Sequence, residues 1–304
     1  ANSAINNGVR NQPENYKAHY NLAIIFAVRG WSEEAMLSLK HCLSIKPDYE
    51  PAVQKLREFN EGLMASYPDD VRPYIDLGDG LRIAGKYNEA IPYLEKAREM
   101  APDNTEVYFL LGQCYSRIGQ YDRALEYLAA ALKVTPDNYA AMLETAKTYE
   151  ALGNADKAKA AYLSLAKIKP DDYATFREIG DYYMRAGSTG NALSSYEKGL
   201  AFDPSDYQFW ANTALIYARE NKKLDRAKKC AERSLVLKAE NPAGSKALGY
   251  VYYRMKNYPE AVKYLTAARN AMPDDAEIRE LLATIAEKRQ AETRPPVEKK
   301  TNDR

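Results

Sequence analysis

The chain has 304 residues, 46% of them apolar and 28% charged, which is long enough for a large buried core, and its 43 lysines and arginines nearly cancel 42 acids. A net charge of +1 excludes gross attraction to nucleic acid or an anionic membrane, so any binding must come from local patterning. No apolar run reaches membrane-spanning length and no basic-then-apolar leader is present, so this segment is not expected to insert into a membrane.

Residues 1–13 carry Asn and Gly without a period and read as a ragged lead-in to Pro13. From 16 to 47 the pattern sharpens. His19, Leu22, Ala23 and Phe26 share one helix face, Gly30 marks a turn, Ala35, Leu39 and Cys42 form a second stripe, and Pro47 stops the second helix by removing a donor. Residues 50–66 contain no breaker except Gly62 and predict one unpaired helix. Pro47 and Pro68 are 21 residues apart, whereas Pro68, Pro102, Pro136, Pro170 and Pro204 recur every 34. The shortfall equals about one helix and a turn. A lone helix between stacked pairs predicts a bend or partial boundary near 67–71, dividing residues 1–66 from 67–291.

Six helix pairs follow, at 71–102, 105–136, 139–170, 173–204, 207–239 and 242–273. Their first-helix stripes run from Tyr74, Leu77, Gly78 and Leu81 to Ser245, Leu248, Gly249 and Tyr252, with Tyr108, Leu111, Gly112 and Tyr115 as the clearest copy. The eighth place of each is Gly or Ala, as required where two helices approach most closely. Asp or Asn after the prolines (Asp103, Asn104, Asp137, Asn138, Asp171, Asp172, Asp274, Asp275) is placed to accept from free amides of the next helix. The 207–239 pair carries one extra turn residue, which predicts a bulge at 220–224 with the stacking preserved. Ile278, Leu281, Leu282 and Ile285 predict a closing helix with a charged outer face, and 292–304 is too polar and proline-broken to order itself.

The 34-residue period, the Leu-Gly-x-x-Tyr face and the Ala and Pro positions resemble the tetratricopeptide repeat. That resemblance implies an all-α solenoid, a right-handed superhelix of antiparallel helix pairs. It also implies that the first helices line a concave wall, with places 2, 5, 9, 12 and 13 of each unit facing it. Those places hold Arg117, Arg185, Arg219 and Arg254 at place 13, Arg177 and Lys246 at place 5, and Arg82 at place 12. A column of guanidiniums could grip carboxylates of an extended peptide, while the blander reading is a cation suiting a helix C-terminus. Tyr20, Ile24 and Val28, Phe109 and Leu110, and Tyr250 and Tyr253 are candidate apolar anchors, or else contacts to neighbouring helices. The family's carboxylate clamp is incomplete: Arg177 and Asn212 fit, but Asp181 stands where Asn is required and Ala243 and Ala247 where cations are.

Catalysis is not expected. His19 falls in a buried stripe and His41 on an outward face, with no nucleophile set by spacing. GDGLRIAG at 78–85 lies within a helix and lacks the preceding strand of a phosphate-binding loop. AGSTG at 186–190 is an inter-helix turn. Cys42, Cys114 and Cys230 are too dispersed for zinc or a disulfide framework and read as packed thiols, a pattern that weakly favours a reducing, cytoplasmic setting. The sequence thus predicts a scaffold that binds a protein or extended peptide, an acidic one if the arginines serve it, with no cofactor, metal or nucleic acid. A second reading, left open by the opening Ala1, is the repeat portion of a larger enzyme, such as a membrane-embedded glycosyltransferase, that recruits or orients substrate.

Overall fold

The computed structural model describes residues 14–293, so the lead-in at 1–13 and all but the first two residues of the tail expected at 292–304 lie outside the described residues, and those two continue the last helix. These residues form sixteen helices and no strand, an all-α solenoid of antiparallel helix pairs. The chain divides into two compact units between Ile168 and Lys169.

The first unit holds α1 (Tyr16–Val28), α2 (Ser32–Ile45), α3 (Glu50–Ser66), α4 (Arg72–Ile83), α5 (Tyr87–Met100), α6 (Thr105–Arg117), α7 (Tyr121–Val134), α8 (Tyr139–Ala151) and α9 (Ala155–Ile168). Hairpins pair α1 with α2, α4 with α5, α6 with α7 and α8 with α9, while α3 has no hairpin partner. Instead α3 packs on α4, and α2 touches both. The division expected at 67–71 falls inside this unit. Its buried cluster runs from Ala23 to Ala124 without a break, and α3 contributes Ala52, Val53 and Leu56.

The second unit holds α10 (Tyr173–Arg185), α11 (Thr189–Phe202), α12 (Tyr207–Arg219), α13 (Leu224–Leu237), α14 (Pro242–Arg254), α15 (Tyr258–Ala271) and α16 (Ala276–Thr293). Three hairpins stack, and α16 closes the end by burying Ile278 and Ile285 against Leu265 and Ala268.

Local chemistry explains the punctuation. Of each predicted pair of capping residues the second acts as the cap: Asn104 Oδ1 accepts from the amides of Glu106 (3.0 Å) and Val107 (3.3 Å), Asn138 from Ala141, Asp172 from Thr175, and Asp275 from Ile278. Close approach explains the small eighth place. A Cβ on Gly112 would stand 2.7 Å from Leu128 Cγ, and one on Gly180 would stand 2.4 Å from Tyr196 Cε1. The inter-helix turns need a left-handed residue, supplied by glycine at Gly119 (φ +79) but by Lys256 (φ +62) in the last hairpin. The extra residue near 222 yields two such positions, Asn221 and Lys223, before α13 resumes its place.

Candidate protein-binding surface

The stripes are consumed by packing, so recognition must use what the first helices carry on their remaining faces. In the first unit Arg82 directs Nε (3.0 Å) and Nη2 (2.7 Å) onto Asp79 Oδ1. Lys40, arriving from α2, lies 2.7 Å from Asp76 and 3.0 Å from Asp79. Burial alone would raise the Asp79 carboxyl, but Lys40 and Arg82 outweigh it and hold it below its usual range. The same carboxylates lift the Lys40 ammonium against the opposing effect of its own burial. Arg117, by contrast, is exposed and pairs with no carboxylate among the described residues.

In the second unit most of the predicted cations are engaged within the fold. Arg177 reaches the capping Asp206 of the next pair (3.4 Å), and Lys246 reaches Asp275 (2.7 Å), which caps α16. Both pairs are 29 residues apart, so the place-5 cation clasps the helix start of the following repeat. Arg219 forks onto Glu277 at 3.1 and 2.7 Å, and Lys246 adds a 2.7 Å contact to the same carboxylate. Glu277 and Asp275 are consequently held low, although burial opposes this. Arg254 donates to the carbonyls of Ala218 (3.1 Å) and Arg219 (3.2 Å), capping the end of α12, and lies over the rings of Tyr250 and Tyr253. Arg185 is exposed beside Asp181. The guanidiniums therefore do not stand as one open column. Spacing places them on a common face, but not the carboxylates that the next helix brings to them.

The remaining candidates divide similarly. Phe109 is half-buried against the cluster of Leu128, Ala131 and Ala141, and Leu110 is buried, so Leu110 belongs to the packing. Tyr250 and Tyr253 meet edge to face at 6.1 Å, half exposed. Val28 is 83% exposed at the end of α1. Asp181 and Asn212, which the clamp comparison picked out, belong to an internal network: Tyr196 donates to Asp181 at 2.6 Å and Asn212 reaches the Tyr196 hydroxyl at 3.3 Å. Burial raises the Asp181 carboxyl. No three His, Cys, Asp or Glu residues group as a metal site among the described residues, and none of their helices is long and apolar enough to cross a membrane.

Sequence reasoning missed one feature. A cleft of about 750 Å³ opens between α2 and α4, ended by the last turn of α3 and rimmed by the start of α6. Met36, Leu37, Leu63, Val71 and Ile75 line it, with Tyr67 at its mouth. Its only sequence signal is the short Pro47–Pro68 interval.

Sequence models of the tetratricopeptide repeat match residues 81–133, 118–178 and 218–285, and further such models match 177–244 and 16–49. No curated protein matches the chain in sequence. Among solved structures, yeast Tom70 is similar at 14% identity and a TM-score of 0.64, covering 96% of this chain and 59% of that one. The APC/C hetero-tetramer Cut9-Hcn1 gives 17% identity and 0.57, covering 92% and 57%. A tetratricopeptide repeat protein from Parabacteroides merdae gives 17% and 0.55, covering 89% and 98%. The chain thus spans less than two thirds of the length of the first two. With repeat models matching more than half of its residues and helix pairs recurring at the predicted intervals, the chain belongs to the tetratricopeptide repeat family.

Proposed function

We propose that the chain is a non-catalytic scaffold that binds a segment of another protein along the first helices of its repeats. Proteins of this family bind proteins or peptides, and the family assignment supports that general role. One observation carries the reading: pairs turn their apolar stripes toward their neighbours, while the first helices keep the exposed Arg117 and the half-exposed Phe109, Tyr250 and Tyr253 on their other faces. An acidic segment would be gripped chiefly by Arg117 and Arg185, the two guanidiniums at place 13 that are exposed.

The test is affinity capture with the chain as bait, then calorimetry with the purified partner. A stoichiometric complex is expected. For an acidic partner, Arg117→Ala with Arg185→Ala should weaken it about tenfold and flatten its salt dependence. Failure of any captured protein to bind when purified would sink the scaffold reading. Unchanged affinity and salt slope in the double variant would remove the arginines from it.

A further inference from the structure

The cleft between α2 and α4 exists because one repeat lacks its second helix. In the complete units that follow a proline stop, the residue ten places after that proline is Gly or Ala, and the residue thirteen places after it is large, as in Gly112 and Tyr115, Gly180 and Tyr183, Ala214 and Tyr217. Those two places meet the second helix, as the stacking of Tyr115 on Tyr127 at 5.4 Å illustrates. In α3 they are Arg57 and Asn60. Arg57 pairs with Glu89 of α5, and Asn60 is fully buried beside Met36, its Oδ1 without a donor among the described residues. No second helix covers α3, and α2 closes against α4 through Lys40.

The space left is apolar at its floor and acidic at its edge. Leu37 is 70% exposed and Tyr67 61%, large apolar surfaces uncovered beside the buried Met36 and Ile75. Four carboxylates line the cleft against two cations. Lys40 is held by Asp76 (2.7 Å) and Arg72 by Asp70 (2.7 Å), which leaves Glu33 with a shared 3.8 Å approach from Arg72 and Glu106 with no cation among the described residues. That arrangement disfavours acidic peptides, nucleic acid and anionic lipid alike.

We propose that this cleft docks a basic amphipathic helix from a partner protein, its apolar stripe on Leu37, Leu63 and Tyr67 and its lysines or arginines facing Glu33 and Glu106. The inference rests on the scaffold reading and deepens it by naming a site and a partner chemistry. The mode is a helix laid in a groove, with leucine-like anchors one turn apart and flanking cations setting orientation and rate of encounter.

Two synthetic helices of about 14 residues, or four turns, test it directly. They share a leucine stripe and carry either lysines or glutamates on the polar face. Fluorescence anisotropy against the full chain should show the lysine peptide binding at least about tenfold more tightly than the glutamate peptide, with affinity falling as salt rises. Glu33→Gln with Glu106→Gln should weaken the lysine peptide about tenfold and flatten its salt dependence, and Leu37→Ala should weaken it without changing that dependence. All three side chains are exposed, and circular dichroism checks that the variants stay folded. Equal affinity for both peptides, no binding, or binding indifferent to these substitutions would overturn the proposal. So would concentration-dependent self-association abolished by Leu37→Ala, which would make the occupant a second copy. A captured partner that binds the cleft variants normally would dismiss the cleft while leaving the scaffold reading intact.

Discussion

Adding a single methyl at Gly80 tests how α3 is seated, because that residue sits within α4 where the unpaired helix crosses it. A Cβ there would stand 2.2 Å from Leu56 Cδ2, 3.0 Å from Cδ1 and 3.2 Å from Cγ. Carbon atoms rest about 3.5–4.0 Å apart, so Leu56 must withdraw by more than an ångström although it is fully buried. Overpacking of this kind costs about 1–3 kcal/mol, offset by about 1 kcal/mol of helix propensity gained on replacing glycine. Gly80→Ala is therefore expected to destabilise by about 0–2 kcal/mol. Leu56→Ala alone should cost about 2–5 kcal/mol. In that background the clash is gone and the new methyl partly fills the hole, so Gly80→Ala should now stabilise by about 1 kcal/mol. Urea denaturation followed by circular dichroism reads the three variants, and amide exchange in α3 and α4 localises the change. Equal shifts from Gly80→Ala in both backgrounds, within about 0.5 kcal/mol, would refute the seating of Leu56 described above.

Other expectations concern the turns, the closing helix and the thiols. Lys256→Gly should stabilise by about 1 kcal/mol, because the lysine holds a left-handed backbone that glycine adopts freely; a lower denaturation midpoint would contradict this. Lys246→Ala should cost about 1–3 kcal/mol by leaving Asp275 without its cation and Glu277 with Arg219 only, and should speed amide exchange in α16 ahead of α12. Asp79, Asp275 and Glu277 ionise below their usual range, so the unfolded chain binds more protons in acid. Their stabilisation is full above about pH 5 and is lost as pH falls through about 4 and below. A folded fraction flat across that window would count against these pairs. Burial pushes the Cys42 thiol to about 11 and Cys114 to about 12, so alkylation near pH 8 should run far slower than for an unfolded cysteine, as mass spectrometry would record.

The helices were legible because their signals are local. Proline stops, asparagine and aspartate caps and an obligatory small residue all act within a turn or across one hairpin, as Gly112 against Leu128 illustrates. The surface chemistry was not, because it depends on neighbours one repeat away. Arg177 and Lys246 occupy the places that the family pattern assigns to ligand contact, but each meets a capping aspartate 29 residues on. That recurrence is written in the sequence, but its meaning needs the stacking angle. Arg219 reaches 58 residues to Glu277, beyond any repeat rule. The short proline interval announced a missing helix, while the cleft it opens depends on where α2 comes to rest.

The surplus of tyrosine over phenylalanine, 25 to six, has its own consequence. Phenols donate to carboxylates, between successive repeats for Tyr127 to Glu95 at 2.6 Å and inside a hairpin for Tyr162 to Glu150 at 2.9 Å and Tyr196 to Asp181 at 2.6 Å. Burial and the adjoining negative charge push Tyr127 and Tyr196 above the ordinary phenol range. Tyr127 and Tyr196 are thus built-in optical reporters, silent in alkali until the contact between repeats or the hairpin that holds each one opens, so tyrosinate absorbance could register the order in which the array unzips without any introduced label.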